Sequence, residues 1–70
     1  MDYTVLIERA EDGSFSAYVP DLPGCVSCGD TAGEAIDSIQ EAIRGHLATM
    51  RQYGESIPSP KSFATVIHAG

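Results

Sequence analysis

Residues 31–54 constrain the fold of this chain most, because they predict one long amphipathic helix. Apolar residues recur there at spacings of three and four, which places them on one face of a helix with 3.6 residues per turn. The residues of this face are Ala32, Ala35, Ile36, Ile39, Ala42, Ile43, Leu47 and Met50. Such a face needs a second layer of structure to cover it.

Both ends of the helix carry residues that stabilise helix termini. Thr31 is the expected N-cap: its hydroxyl accepts from the backbone N–H of Glu34, and the Glu34 carboxylate accepts from the Thr31 amide, forming a capping box. Gly54 is expected to take the left-handed conformation that ends a helix. Gly45 is the weak point, because a glycine inside a helix costs about 1 kcal/mol relative to alanine. We interpret it either as a close packing contact or as a cost that other contacts offset.

Two alternating runs before the helix predict a β-hairpin. Residues 3–8 and 14–19 alternate between two faces, in residue types that favour strands. The Asp12-Gly13 pair between them is a strong local hairpin signal. Two prolines in residues 20–24 end the second strand, and a short third strand is expected over residues 25–28.

The region after the helix predicts a connector and a last strand. Residues 55–62 contain two prolines and are expected to be extended, whereas residues 63–68 alternate as a strand does. The predicted order is therefore strand, strand, strand, helix, strand.

One helix covers one face of a sheet, which predicts an α+β fold: a two-layer sandwich of a hairpin-based antiparallel sheet and one helix. The other face would leave Leu6, Tyr18, Val26 and Val66, or their face-mates, partly open. An open apolar face on a small protein usually marks an interaction surface.

Length and charge limit the classes of function. Seventy residues predict a single domain, 1–70, that buries only about 60% of its unfolded surface, so a homodimer or tetramer is expected. The net charge is −6, with four Lys or Arg against ten Asp or Glu. Scattered cations argue against direct nucleic-acid binding, and an acidic surface attracts a basic protein. No membrane-spanning or export segment is recognisable, which predicts a cytoplasmic protein.

Several motifs together resemble the HicB antitoxin family. They are the run from Phe15 to Cys25 that contains Asp-Leu-Pro-Gly-Cys, the Gly29-Asp30-Thr31 helix start and the Glu34-Ala35 pair that follows. The resemblance covers nearly the whole chain. It implies a trimmed ribonuclease H-like fold and the capture of a HicA-like toxin, a small basic protein that cleaves messenger RNA.

The resemblance also has a boundary. Antitoxins of this family commonly carry a C-terminal DNA-binding module, and none is expected in residues 1–70. Toxin capture by direct protein–protein occlusion is therefore the predicted function, without enzymatic activity. Two alternatives stay open: a solitary self-assembling accessory module that has no toxin, and a metal-dependent nuclease.

The Asp21-Leu22-Pro23-Gly24-Cys25 loop is the predicted partner-binding segment. An exposed loop held by a rigid sheet is a common contact site, although the same sequence also fits a plain turn between two strands.

No catalytic, metal or cofactor residues are predicted. The Cys25 and Cys28 pair lacks a second ligand pair for zinc, and an offset of three on a strand sends the two thiols to opposite faces. The acids show no spacing that would bring them to one metal, and they include ordinary cap and turn residues. Neither His46 nor His68 has a nucleophile motif nearby.

Overall fold

The sheet and the helix form the two predicted layers. The computed structural model describes all 70 residues, with strands β1 (Leu6–Arg9), β2 (Phe15–Tyr18) and β3 (Val26–Gly29) and helix α1 (Ala32–Gln52). The strands form one antiparallel sheet in the order β1-β2-β3. The α+β class, the antiparallel hairpins and the single helix packed on the sheet are thus confirmed.

Helix α1 begins with a side-chain cap and ends at a glycine. The Thr31 hydroxyl accepts from the backbone N–H of Glu34 at 3.1 Å. The Glu34 carboxylate accepts from the backbone N–H of Asp30 at 2.8 Å, one residue before the Thr31 amide that the capping box predicted. Gly54 has a φ of 69° just past the helix, in the left-handed region that favours glycine.

The first hairpin turns through the Asp12-Gly13 pair. The Asp12 carboxylate accepts from the backbone N–H of Ser14 at 2.9 Å and from its hydroxyl at 2.6 Å. These bonds, the hydroxyl bond above all, hold the pKa of Asp12 below its usual value. Gly13 has a φ of 88°, and a turn of this kind needs a residue that adopts positive φ freely. The local sequence therefore sets the pairing of β1 with β2.

The register of the sheet decides which side chains meet the helix. Ala17 of β2 lies opposite Ile7 of β1 and Ser27 of β3. Ala17 is fully buried, and the Ser27 hydroxyl donates to the carbonyl oxygen of Ala35 in the helix at 3.1 Å. The fully buried core consists of Ala17, Val19, Leu22, Cys25, Ala35 and Ile39.

Close approach of β3 to the helix depends on Gly29. A Cβ added there would lie 2.6 Å from the backbone nitrogen of Ala35 and 2.7 Å from the Cβ of Glu34, inside any real contact distance. Gly45, in contrast, has nothing within 4 Å of an added Cβ. Close packing therefore does not explain Gly45.

The fourth strand predicted over residues 63–68 does not form within the chain, which corrects the predicted element order. Residues 55–70 contain no strand, and Phe63, Val66 and Ile67 are largely exposed. Alternation expresses only a preference for strand, and a strand also requires a neighbouring strand to pair with, which residues 63–68 do not have within the chain. The connector itself is held in place, because the Tyr3 hydroxyl donates to the carbonyl oxygen of Pro58 and the Thr4 hydroxyl donates to that of Ser62.

Candidate protein-binding site

The loop of residues 20–24, between β2 and β3, consists of two consecutive turns closed at the base. The backbone N–H of Leu22 donates to the Val19 carbonyl at 3.1 Å, and that of Cys25 donates to the Leu22 carbonyl at 3.0 Å. Val19 N–H also donates to the Cys25 carbonyl at 3.2 Å, which joins the two ends of the loop. Gly24 has a φ of 85°, as the third residue of a type II turn after Pro23 requires. The loop is therefore held rigidly by its own backbone.

The five residues predicted to bind a partner divide into buried and exposed groups. Leu22 and Cys25 belong to the core, and Asp21 is only 7% exposed. Pro23 and Gly24 are exposed at the tip of the loop. In the folded chain, only the tip therefore offers side-chain or backbone surface to another protein.

Asp21 links this loop to the connector that follows the helix. Its carboxylate accepts from the backbone N–H groups of Ser62 at 2.8 Å and Lys61 at 2.9 Å, and from the Ser62 hydroxyl at 2.8 Å. These bonds, with that of the Ser62 backbone largest, hold the pKa of Asp21 below its usual value. The sequence placed Asp21 among the partner-binding residues of a turn, because no local signal reveals a partner 40 residues away.

A cleft of about 440 Å³ borders the loop tip. Pro23 lies on one side, and the C-terminal half of the helix with the start of the connector lies on the other. The remaining lining residues are Gly45, His46, Thr49, Met50, Glu55 and Pro58. His46 is half-buried at this cleft.

The sheet face away from the helix carries a row of apolar side chains. Tyr18 of β2 lies opposite Leu6 of β1 and Val26 of β3, so all three point to the same face. Tyr18 is 36% exposed and Val26 is 65% exposed. The open apolar face that the sequence predicted is therefore present at Leu6, Tyr18 and Val26, which we call the open-face row.

The chemistry-bearing residues do not gather into one centre. Cys25 is buried, Cys28 is exposed, and both are free thiols. Burial raises the pKa of the Cys25 thiol. No group of three or more His, Cys, Asp or Glu side chains is arranged to hold a metal ion. Helix α1 lacks the long apolar stretch that a membrane crossing requires.

These features define a small α+β module whose exposed apolar row and loop tip are suited to protein contacts. Residues 3–69 match the family model described as the HicB-like antitoxin of bacterial toxin–antitoxin systems. The chain therefore belongs to the HicB-like antitoxin family, which confirms the resemblance seen in the sequence. Membership of an antitoxin family suggests a binding protein that has a toxin partner, and not an enzyme.

Individual relatives agree with this assignment. A UPF0150 protein of Thermoplasma acidophilum is 41% identical and matches over 99% of this chain and 100% of its own length. Antitoxin HicB 1 of Photorhabdus laumondii is 32% identical over 86% of this chain, but the match spans only 39% of that protein. The crystal structure of the N-terminal domain of Burkholderia pseudomallei antitoxin HicB superposes with a TM-score of 0.81 at 32% identity. That match covers 90% of this chain and 74% of the other.

Proposed function

We propose that this protein neutralises a small basic, HicA-like toxin that cleaves messenger RNA, by binding it and covering its active surface. Membership of the HicB-like antitoxin family is the observation that carries the proposal. The net charge of −6 supports it, because an acidic protein attracts a basic partner and speeds the encounter between them.

We assign the toxin contact to the open-face row together with the exposed loop tip at Pro23 and Gly24. Tyrosine is enriched among residues that dominate binding energy, and Tyr18 stands at the centre of the row between Leu6 and Val26. The rigid loop has little conformational entropy to lose on binding. Asp21, Leu22 and Cys25 serve the contact indirectly, because they hold the loop in shape from inside.

Mixing experiments test this function. The purified chain is mixed with a small basic HicA-like protein, taken from beside its own gene where one is encoded there, and the mass of the product is measured by light scattering on a sizing column. We expect a stoichiometric complex that weakens steeply as salt is raised, since the attraction between exposed charges is screened. If no complex forms at low salt and the chain elutes alone as a clean homo-oligomer, the accessory module without a toxin becomes the better description.

A pair of variants tests the surface. Val26→Glu places a charge within the open-face row, whereas Gln40→Glu adds the same charge at an exposed position of the helix. We expect Val26→Glu to lower toxin affinity at least tenfold and to abolish protection of messenger RNA in a cleavage assay. Equal affinity for the two variants would show that the toxin binds elsewhere.

Three further predictions belong to this proposal. The fold is a trimmed ribonuclease H-like one, the protein acts in the cytoplasm, and it makes no direct contact with nucleic acid. A gel-shift measurement with double-stranded operator DNA and with RNA, performed on residues 1–70 alone, tests the last of these. A shift that disappears at moderate salt and shows no sequence preference would indicate only nonspecific phosphate contact.

A further inference from the structure

The C-terminal segment of residues 63–68, here called the tail, has the composition of a strand but no partner. Phe63 is 87% exposed, Val66 is 97% exposed and Ile67 is 76% exposed. None of the backbone hydrogen bonds of the chain involves these residues. The radius of gyration is 13.5 Å, whereas a compact domain of this length has about 11 Å, so the chain as a whole is less compact than a closed globule.

The β1 side of the sheet is a free edge that the helix covers only in part. The helix packs mainly over β3 and β2 and touches β1 only marginally. Ile7 of β1 faces the helix layer but keeps 36% of its surface exposed. Beyond β1 the sheet has a free edge, whose backbone N–H and C=O groups are open to pairing with another strand.

We propose that this protein forms a dimer in which the tail of each copy pairs with the β1 edge of the other. The tail would then be a fourth strand supplied by the second copy, not by the chain itself. Side chains alternate along a strand, so Phe63 and Ile67 would lie on one face of the enlarged sheet and Val66 on the other. The pairing would cover Ile7 and satisfy the backbone groups of both strands.

Charge favours a second copy as the occupant of this edge. The chain carries −6 overall, so two copies repel each other through most of their surfaces. The tail contains no acidic residue, so a second acidic copy can approach it without direct repulsion between carboxylates. In a dimer with two-fold symmetry, each tail pairs with the β1 edge of the other copy, so every contact between tail and edge is made twice.

The attachment of the tail makes the exchange geometrically feasible. Ser62 is fixed to Asp21 and to Thr4, only two residues before β1. From that anchor, the eight residues that follow span about 26 Å when extended, enough to cross to a neighbouring copy. The anchor keeps each tail at the same place on its own body, so two copies meet in one orientation.

The mass in solution tests the proposal, measured on the full chain by sedimentation equilibrium. We expect twice the chain mass of 7.4 kDa for the wild type and for Gln40→Asp, which adds a charge on the exposed helix face. Ile67→Asp, and deletion of residues 63–70, should each reduce the mass to that of one chain. Far-ultraviolet circular dichroism checks that these variants remain folded.

Two more measurements identify the type of contact. Thr65→Pro removes a backbone donor while adding no charge, and should also give a monomer. Hydrogen exchange of the wild-type dimer should show protected amides in the tail and on the outer edge of β1, and Ile67→Asp should lose both. A wild-type monomer, or a dimer that survives deletion of the tail, would overturn the proposal. Neither outcome depends on toxin binding, so the proposed function is judged separately.

Discussion

Replacing Leu22 with alanine tests whether the loop between β2 and β3 is part of the core. Leu22 is fully buried, and a buried leucine replaced by alanine usually costs about 2–5 kcal/mol. Seventy residues at roughly 0.05–0.15 kcal/mol each give a total stability of about 3.5–10 kcal/mol. The change should therefore remove a large share of the free energy of unfolding, and lower the melting temperature by at least about 8 °C.

Urea titration followed by circular dichroism measures this loss, with Val26→Ala as the matched control. Val26 is 65% exposed in the next strand, and its truncation should change the free energy of unfolding by less than about 0.5 kcal/mol. All variants are compared at one protein concentration, because any self-association contributes to the apparent stability. A loss for Leu22→Ala no larger than that for Val26→Ala would refute the packed-loop interpretation.

Three further predictions concern the titration of Asp21, the reactivity of the two cysteines and the substitution of two glycines. Hydrogen bonds from Ser62 and Lys61 hold the pKa of Asp21 below its value in the unfolded chain, so its contribution to stability is present above the unfolded value and is lost as the pH falls through the folded value. Asp21→Asn should therefore be less stable than wild type at neutral pH, with the difference shrinking in acid titrations. A thiol reagent should label Cys28 in the native protein and Cys25 only after denaturation, as mass spectrometry of the digested protein will show. Gly45→Ala should raise the free energy of unfolding by about 0.5–1 kcal/mol in a urea titration, whereas Gly29→Ala should lower it.

The parts of the fold that the sequence predicted well depend on local interactions. The spacing of apolar residues and the Thr31 hydroxyl indicated where the helix starts, and the Asp12-Gly13 pair indicated the first turn. Strand ends were less accurate: β1 was predicted over residues 3–8 and is observed at Leu6–Arg9. A strand ends where its partner ends, and that position depends on the neighbouring chain as well as on the residues themselves.

The features that the sequence missed depend on contacts between distant residues. The alternation of residues 63–68 indicates that they favour a strand conformation. It does not indicate whether a free edge of the sheet lies close enough for them to pair with. Asp21 looks like an ordinary turn acid until the connector returns from the far end of the helix and places Ser62 beside it. Leu22 in the same loop is fully buried because it packs in the core cluster with Ala35 and Ile39 of the helix.

The open-face row, in contrast, could be predicted because the register of an antiparallel sheet is set by its turns. Once Gly13 and Gly24 fix the two turns, Leu6, Tyr18 and Val26 must lie side by side, and period-two alternation places them opposite the helix. A shift of one residue in the first turn would point Leu6 toward the helix and Ile7 away from it, and a shift in the second turn would do the same to Val26 and Ser27. The surface assigned to the toxin and the packing of the core are therefore consequences of the same register. A change that alters toxin binding by shifting a strand would also lower the free energy of unfolding, whereas Val26→Glu should affect binding alone.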